Sequence, residues 1–262
     1  MQTTTTHLLQ DLLETSRKAG SKILTIYEDE VLFDRVDFKA DDSPLTMADK
    51  AAHELIEADL KELTPDIPIL SEEGRNIPYA ERAEWDTFWL VDPLDGTKEF
   101  IKRNGEFTVN IALVHNGRVV MGCVHVPVSG VTYYASQGEG AFVVRGDTAP
   151  QQIHASHLDM QATGLRIVCS RSHMSKEVEE YISQFDSPST VSMGSSLKLV
   201  LVAEGQADIY PRLGPTMEWD TGAAQIIVEE AGGTVINHET NEPLVYKKEN
   251  LLNHYFIVFG KQ

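Results

Sequence analysis

Cysteine is scarce: Cys123 and Cys169 are the only two in 262 residues, too few for a disulfide framework. Basic residues are outnumbered, 22 against 40 acidic, and the net charge of -18 disfavours nucleic acid and anionic lipid as partners. An anionic substrate survives this test, because carboxylates gathered around divalent cations can make a locally positive field. No stretch reaches the ~18 consecutive apolar residues of a membrane span. The start, MQTTTTHLLQDLLETSRKAG, is polar and then amphipathic, without the apolar core of a signal peptide. A reducing, cytoplasmic setting is expected, with peripheral attachment to the cytoplasmic side of the inner membrane left open. G-x-S-x-G, P-loop and G-x-G-x-x-G patterns are also missing, so serine hydrolase, Walker-type NTPase and Rossmann dehydrogenase readings lack their starting evidence. His154-x-x-His157 has no acid or thiolate nearby, which argues against zinc. No internal repeat or low-complexity segment is evident.

What remains is an ordinary globular composition, 42% hydrophobic and 24% charged. Single cores stop growing at about 250–300 residues, so the length suits two subdomains sharing a cleft. Leu9, Leu12, Leu13, Ser16, Ile23, Leu24 and Tyr27 recur at helical spacing and predict a helix over 5–29. A second helix is expected from Thr46 to Leu63, ended by Pro65, with Ile67 to Leu70 as a short strand after it. Phe88 to Val91 reads as a buried strand delivering Asp92 at its carboxyl end. From Phe107 the runs TVNIALV and RVVMGCVHV flank His115-Asn116-Gly117, a tight-hairpin signal, and two more strands complete an antiparallel meander. After Gly164 strands and helices alternate: LRIVCS, residues 175–185, SSLKLVLVAEG, ADIYPR, TGAAQIIVEEAGG, TVIN and YFIVFG. The reading is an α+β part over 1–160 and an α/β part over 161–262, joined near 150–164.

The densest chemical signal is Asp92-Pro93-Leu94-Asp95-Gly96-Thr97. Pro93 removes a backbone donor and Gly96 permits a sharp turn, so the two carboxylates can fold toward a common point with the Leu94 carbonyl. Hard cations such as Mg2+ take such oxygen ligands. A plain turn is the competing account, since Asp, Pro and Gly dominate turns for local reasons. Against it stands Leu70-Ser71-Glu72-Glu73-Gly74: strand pairing would set these acids beside Asp92, although both can also be surface acids. Thr46-x-x-Asp49 fits a capping box as well as a functional role. Asp220, at the head of a helix pattern, fits an N-cap as well as a ligand. Gly194-Ser195-Ser196-Leu197-Lys198 reads as a capped helix start at which backbone N–H groups and Lys198 can hold phosphate.

Taken together, TMAD at 46–49, SEEG at 71–74, WLVDPLDGTKEF at 89–100 and EWDTGAAQIIVEEAGG at 218–233 resemble the inositol monophosphatase superfamily of Mg2+-dependent, lithium-sensitive phosphatases, over nearly the whole chain. Within it, DPLDGTKEF followed by IKRNGEFTVNIAL, with SRSH at 170–173 and GSSLKLVLVAEGQADIYPR at 194–212, resembles the bacterial 3'(2'),5'-bisphosphate nucleotidases. The resemblance implies a layered αβαβα sandwich, and two or three Mg2+ held by Glu72, Asp92, the Leu94 carbonyl, Asp95 and Asp220. It implies that Asp49 and Thr97, with Glu72, serve the attacking water, and that no covalent intermediate forms. It further implies that Ser170, His173, Gly194, Lys198 and Arg212 contact the nucleotide, with Asp95, Gly96, Thr97, Glu72 and Asp220 at the phosphate. The implied reaction is hydrolysis of adenosine 3',5'-bisphosphate to AMP and phosphate, with the corresponding phosphosulfate as a second substrate, in sulfur assimilation. A monomer is preferred over a homodimer. The rivals are an inositol monophosphatase or sugar bisphosphatase, and a non-catalytic nucleotide sensor.

Overall fold

Two sheets with apolar side chains on both faces need three layers of helix to cover them. A computed structural model describes residues 2–31, 44–74, 76–170 and 174–262. The first sheet holds seven strands in chain order: β1 (Ile69–Ser71), β2 (Thr87–Asp95), β3 (Thr108–His115), β4 (Arg118–Val126), β5 (Val131–Ser136), β6 (Gly140–Arg145) and β7 (Gln151–Ile153). β1 runs parallel to β2, and each later neighbour is antiparallel. One face is covered by α1 (Gln2–Tyr27) and α2 (Pro44–Leu63), whose Leu12, Ile23, Ala52 and Ile56 pack on Trp89, Val91, Ile111 and Cys123. Short α3 (Tyr79–Arg82) and α4 (Thr97–Ile101) flank β2.

The second sheet has the order β11-β12-β10-β8-β9, with β8 (Arg166–Ser170), β9 (Ser189–Met193), β10 (Ile209–Arg212), β11 (Thr234–Asn237) and β12 (Phe256–Phe259). β9, β8 and β10 are mutually parallel. Its outer face is covered by α5 (Lys176–Ile182) through Val178 and Ile182 on Ile167, Ile209 and Ile257. Between the sheets lie α6 (Leu197–Ala203) and α7 (Glu218–Glu230), where Ala223, Ile227 and Val228 share one core with Leu90 and Val124 of the first sheet and Val235 and Val258 of the second. The layers run αβαβα, as the resemblance implies.

Most elements match the sequence pattern. The hairpin turns at Asn116 and Gly117, both at positive φ. Three readings need correction. α2 begins at Pro44, so Thr46 lies inside the helix and Asp49 beyond its first turn, where no orphan N–H remains to cap. β2 does not stop at Val91 but continues to Asp95. β7 and β9 were not anticipated: β7 falls in the segment read as a linker, and β9, STVSM, is a largely exposed edge strand whose apolar alternation is only Val191 and Met193.

Gly122 marks a close approach of α7 to the first sheet, because a Cβ there would lie 2.5 Å from the Ala223 carbonyl oxygen and 3.0 Å from the Ala223 Cα. Gly122→Val is therefore expected to destabilise the fold by about 1–3 kcal/mol through overpacking against α7. Denaturant melts check this, and an unchanged midpoint would show that α7 shifts without cost.

Candidate active site

Strand alternation builds the site. Phe88 and Leu90 of β2 face α7, and Trp89 and Val91 face α1 and α2, so Asp92 turns toward α7. A regular strand would put Asp95, three residues on, on the opposite face. The register prevents it: Asp92 pairs with Asn110 and Asp95 with Thr108, three residues of β2 against two of β3. This is a β-bulge, where Pro93 forfeits no ladder bond and Leu94 drops its side chain into the α1/α2 core. Both carboxylates thus face the same side. Gly96, at φ 103°, then turns the chain into α4, whose first residue is Thr97.

The parallel pairing of β1 with β2 sets Ser71 opposite Val91, and the Glu72 N–H donates to the Val91 carbonyl at 3.1 Å, so Glu72 stands next to Asp92. Asp220 comes from the first turn of α7. It is not the N-cap: that is Met217, whose N–H donates to Asp220 Oδ2 at 2.9 Å. One carboxylate oxygen closes the helix end and the other is left for the site, so the capping and ligand readings of Asp220 coexist.

Glu72, Asp92 and Asp220 each offer a carboxylate oxygen within 4.8 Å of the others. Burial, then the charges of Asp95, Glu72, Asp220 and Asp49, holds the Asp92 carboxyl far above the usual range. Burial and Asp95 raise Asp220 to about 7, and burial with Glu73 and Glu72 raises Asp49 to about 8. Glu72 is pushed up by burial and by Asp95. Asp49 Oδ1 is buried without a hydrogen-bond partner. A group of acids that repel one another, offer only oxygen and leave a buried acceptor unmet fits a hard divalent cation.

Without cation, the raised carboxyls make stability fall with pH. In the unfolded chain Asp49 and Asp220 ionise near 3.8, while in the fold they keep their protons to about 8 and about 7. Stability is complete below the lower value and is lost as pH rises through the upper ones. The rise in melting temperature on adding Mg2+ to EDTA-treated protein should therefore grow from pH 5 to pH 8. An increment independent of pH would contradict this account of the cluster.

Asp95 and Asp220 also line a cavity of about 550 Å³ with Gly96, Ser170, Gly194, Lys198 and Arg212. Ser170, Gly194 and Arg212 lie at or just past the carboxyl ends of β8, β9 and β10. Lys198 is buried and donates to the Ser195 carbonyl at 2.6 Å, with Nζ 5.8 Å from the centre of the Tyr210 ring. Burial depresses its pKa against the opposing charge of Asp95, with Arg212 adding to the fall, so an anion beside it favours the charged ammonium. Glu72, Asp92, Asp49, Leu94 and Thr97 are not in this wall, which Asp95 and Asp220 join to the carboxylate cluster. His173 lies outside the described residues. Sequence reading placed Ser196 only in a capped helix start and passed over Asn110: the Ser196 side chain caps nothing, Ser196 bonds Asp95, and Asn110 bonds Ser196. An asparagine amid the apolar residues of TVNIALV was the available signal.

The model of the inositol monophosphatase family matches residues 5–255. The chain belongs to the inositol monophosphatase family. It is 45% identical over 252 residues to the 3'(2'),5'-bisphosphate nucleotidase CysQ of Escherichia coli O6:H1, covering 96% of this chain and 99% of that one. To the protein of the same name from Salmonella typhimurium it is 44% identical over 251 residues, 96% of this chain and 99% of that one. The crystal structure of CysQ from Bacteroides thetaiotaomicron, described as a bacterial member of the family, superposes with a TM-score of 0.88 at 47% identity, covering 98% of each chain. This family of metal-dependent phosphatases gives the carboxylate cluster its chemistry. Among the described residues no helix is long and apolar enough to cross a membrane.

Proposed function

We propose that the chain is a Mg2+-dependent 3'(2'),5'-bisphosphate nucleotidase that hydrolyses the 3'-phosphate of adenosine 3',5'-bisphosphate to AMP and phosphate, and acts on the phosphosulfate analogue in the same site. The observation that carries it is the convergence of Glu72, Asp92 and Asp220, from three separate elements, within 4.8 Å beside a cavity walled by Lys198 and Arg212. Identity near 45% with relatives named for this activity supports it.

Glu72, Asp92, the Leu94 carbonyl, Asp95 and Asp220 would hold two or three Mg2+. A divalent cation there supplies Lewis acidity toward the phosphoryl group and lowers the pKa of water. Asp49, with its unpartnered buried oxygen, and Thr97, at the head of α4, orient the attacking water. Lys198 and Arg212 neutralise the second phosphate. Arg212 is held by Thr216 Oγ1 and the Pro215 carbonyl, which aims its guanidinium without cancelling its charge. Ser170, His173 and Gly194 contact the nucleoside. No side chain is needed as a nucleophile, so no covalent intermediate forms.

Phosphate release tests this. With Mg2+, kcat/KM for adenosine 3',5'-bisphosphate should exceed that for inositol 1-phosphate and fructose 1,6-bisphosphate by ~100-fold or more, the discrimination open to a site that pairs its polar groups with one ligand. EDTA should abolish it, and Li+ should inhibit it. Preference for another ester would move the substrate within the family, and no release from any ester would leave a nucleotide sensor.

A further inference from the structure

The carboxylates of the cluster come from the first sheet and from α7 of the central helical layer, and something must hold their spacing before any cation arrives. Ser196 and Asn110 meet that need. The Ser196 N–H donates to Asp95 Oδ2 at 2.6 Å. Its hydroxyl lies 2.8 Å from the same oxygen and 2.8 Å from the Asp220 carbonyl. A hydroxyl has one proton to give. Because the backbone N–H already serves Asp95, that proton is available to the Asp220 carbonyl, and one residue holds both the Asp95 carboxylate and the Asp220 main chain. The lone pairs of Ser196 Oγ receive Asn110 Nδ2 at 2.8 Å, and the same amide stands 3.5 Å from Asp95 Oδ2. Ser196 and Asn110 are buried, at 2% and 1% exposure. Asn110 accepts a cost for its place: its Oδ1 is buried with no partner. An apolar residue would fill that position of β3 without the orphan, which costs about 1–3 kcal/mol.

We propose that Ser196 and Asn110 are positioning residues for cation binding, which fix Asp95 Oδ2 so that Oδ1 remains the oxygen offered to the cation, and which tie Asp95 of the first sheet to Asp220 of α7. The inference rests on the reading of Asp95 as a metal ligand. Asn110 acts through Ser196 by fixing which way its hydroxyl points.

Mn2+ binding to the substrate-free full chain, followed by electron paramagnetic resonance, tests the pair without reference to turnover. Ser196→Ala and Asn110→Ala should each raise the dissociation constant of a Mn2+ site by on the order of 10-fold, the usual range for partners that orient metal ligands. The double variant should weaken binding no further than Ser196→Ala alone. The Mg2+ concentration for half-maximal turnover should rise by the same factor, while kcat at saturating Mg2+ changes by less than ~3-fold. Unchanged Mn2+ isotherms with a lowered melting temperature would reduce the pair to packing and overturn the proposal, and Asn110→Ala alone decides it should Ser196→Ala fail to fold. Asp95→Asn separates the two readings. If it too leaves the isotherm unchanged, Asp95 is no ligand and the premise falls; if it weakens binding and the pair's variants do not, only the positioning role falls.

Discussion

Asp92→Asn lowers kcat/KM by ~10³-fold or more, about 4 kcal/mol of barrier, and yet raises the melting temperature of the cation-free protein at pH 8. The two effects share one cause. Asp92 is fully buried among Asp95, Glu72, Asp220 and Asp49, and its carboxyl is held far above its ordinary range by burial and their charges. Asparagine keeps the Oδ1 that accepts the Leu94 N–H at 3.0 Å, so the bulge stays closed. It removes a buried carboxyl whose ionisation the fold resists at a cost that grows with pH, and with it one of the anchors for a cation. Calorimetry in EDTA and in Mg2+ should show the curves cross: parent above variant with Mg2+, variant above parent without it. A variant less stable under both conditions would mean that Asp92 matters to the fold rather than to the charge cluster.

Glu218→Ala should cost about 3–5 kcal/mol of folding stability, the largest stability effect we expect from a single polar substitution. Glu218 is 0% exposed. Its carboxylate accepts from the Lys248 ammonium at 2.6 Å and from the Lys248 and Lys247 N–H groups at 3.0 and 2.9 Å. Lys248 also donates to the Val245 carbonyl and to Asn253 Oδ1. The same segment is bound from the other side, where Arg82 donates to the Lys248 and Glu249 carbonyls and Lys247 to those of Ala83 and Trp85. Truncating Glu218 leaves a half-buried ammonium without its carboxylate and releases this clasp from the residue that opens α7, two positions before Asp220. Urea melts give the cost. Replacing Glu218 and Lys248 together by methionine should lose far less, because no charge is left unpaired; a double loss equal to the sum of the singles would show that the ion pair is not the source.

The fold was legible where one pattern decides one element. Helical spacing marked α1 and α2, and the Asn-Gly dipeptide marked the β3–β4 turn, because those signals are local. Glu72 beside Asp92 was legible too, since a strand ending in SEEG and one ending in DPLD need only pair in parallel. The path through Asp92 to Asp95 was not. Asp-Pro-Leu-Asp-Gly carries the composition of a turn, and only the partner strand reveals that one extra residue has been inserted in a continuing ladder. β9 escaped for a similar reason: its polar residues extend the sheet because β8 offers an unpaired edge, a fact absent from β9 itself. Ser196 and Asn110 are 86 residues apart in sequence and become one unit only after folding.

The three parallel strands β9, β8 and β10 release their chains at the cavity that faces the carboxylates, and none of the acids of the cluster lies on them. On the proposed reading, recognition and reaction are therefore written on separable stretches of polypeptide. Glu72, Asp92 and Asp95 are fixed by a bulge and a parallel pair in the first sheet, whereas Ser170, Gly194 and Arg212 stand at or just past the carboxyl ends of strands in the second. A lineage built this way can drift toward a new ester by editing a few strand-end positions while its carboxylate cluster is inherited intact, and a protein engineer can follow the same route by exchanging the residues at 170, 194 and 212 between relatives.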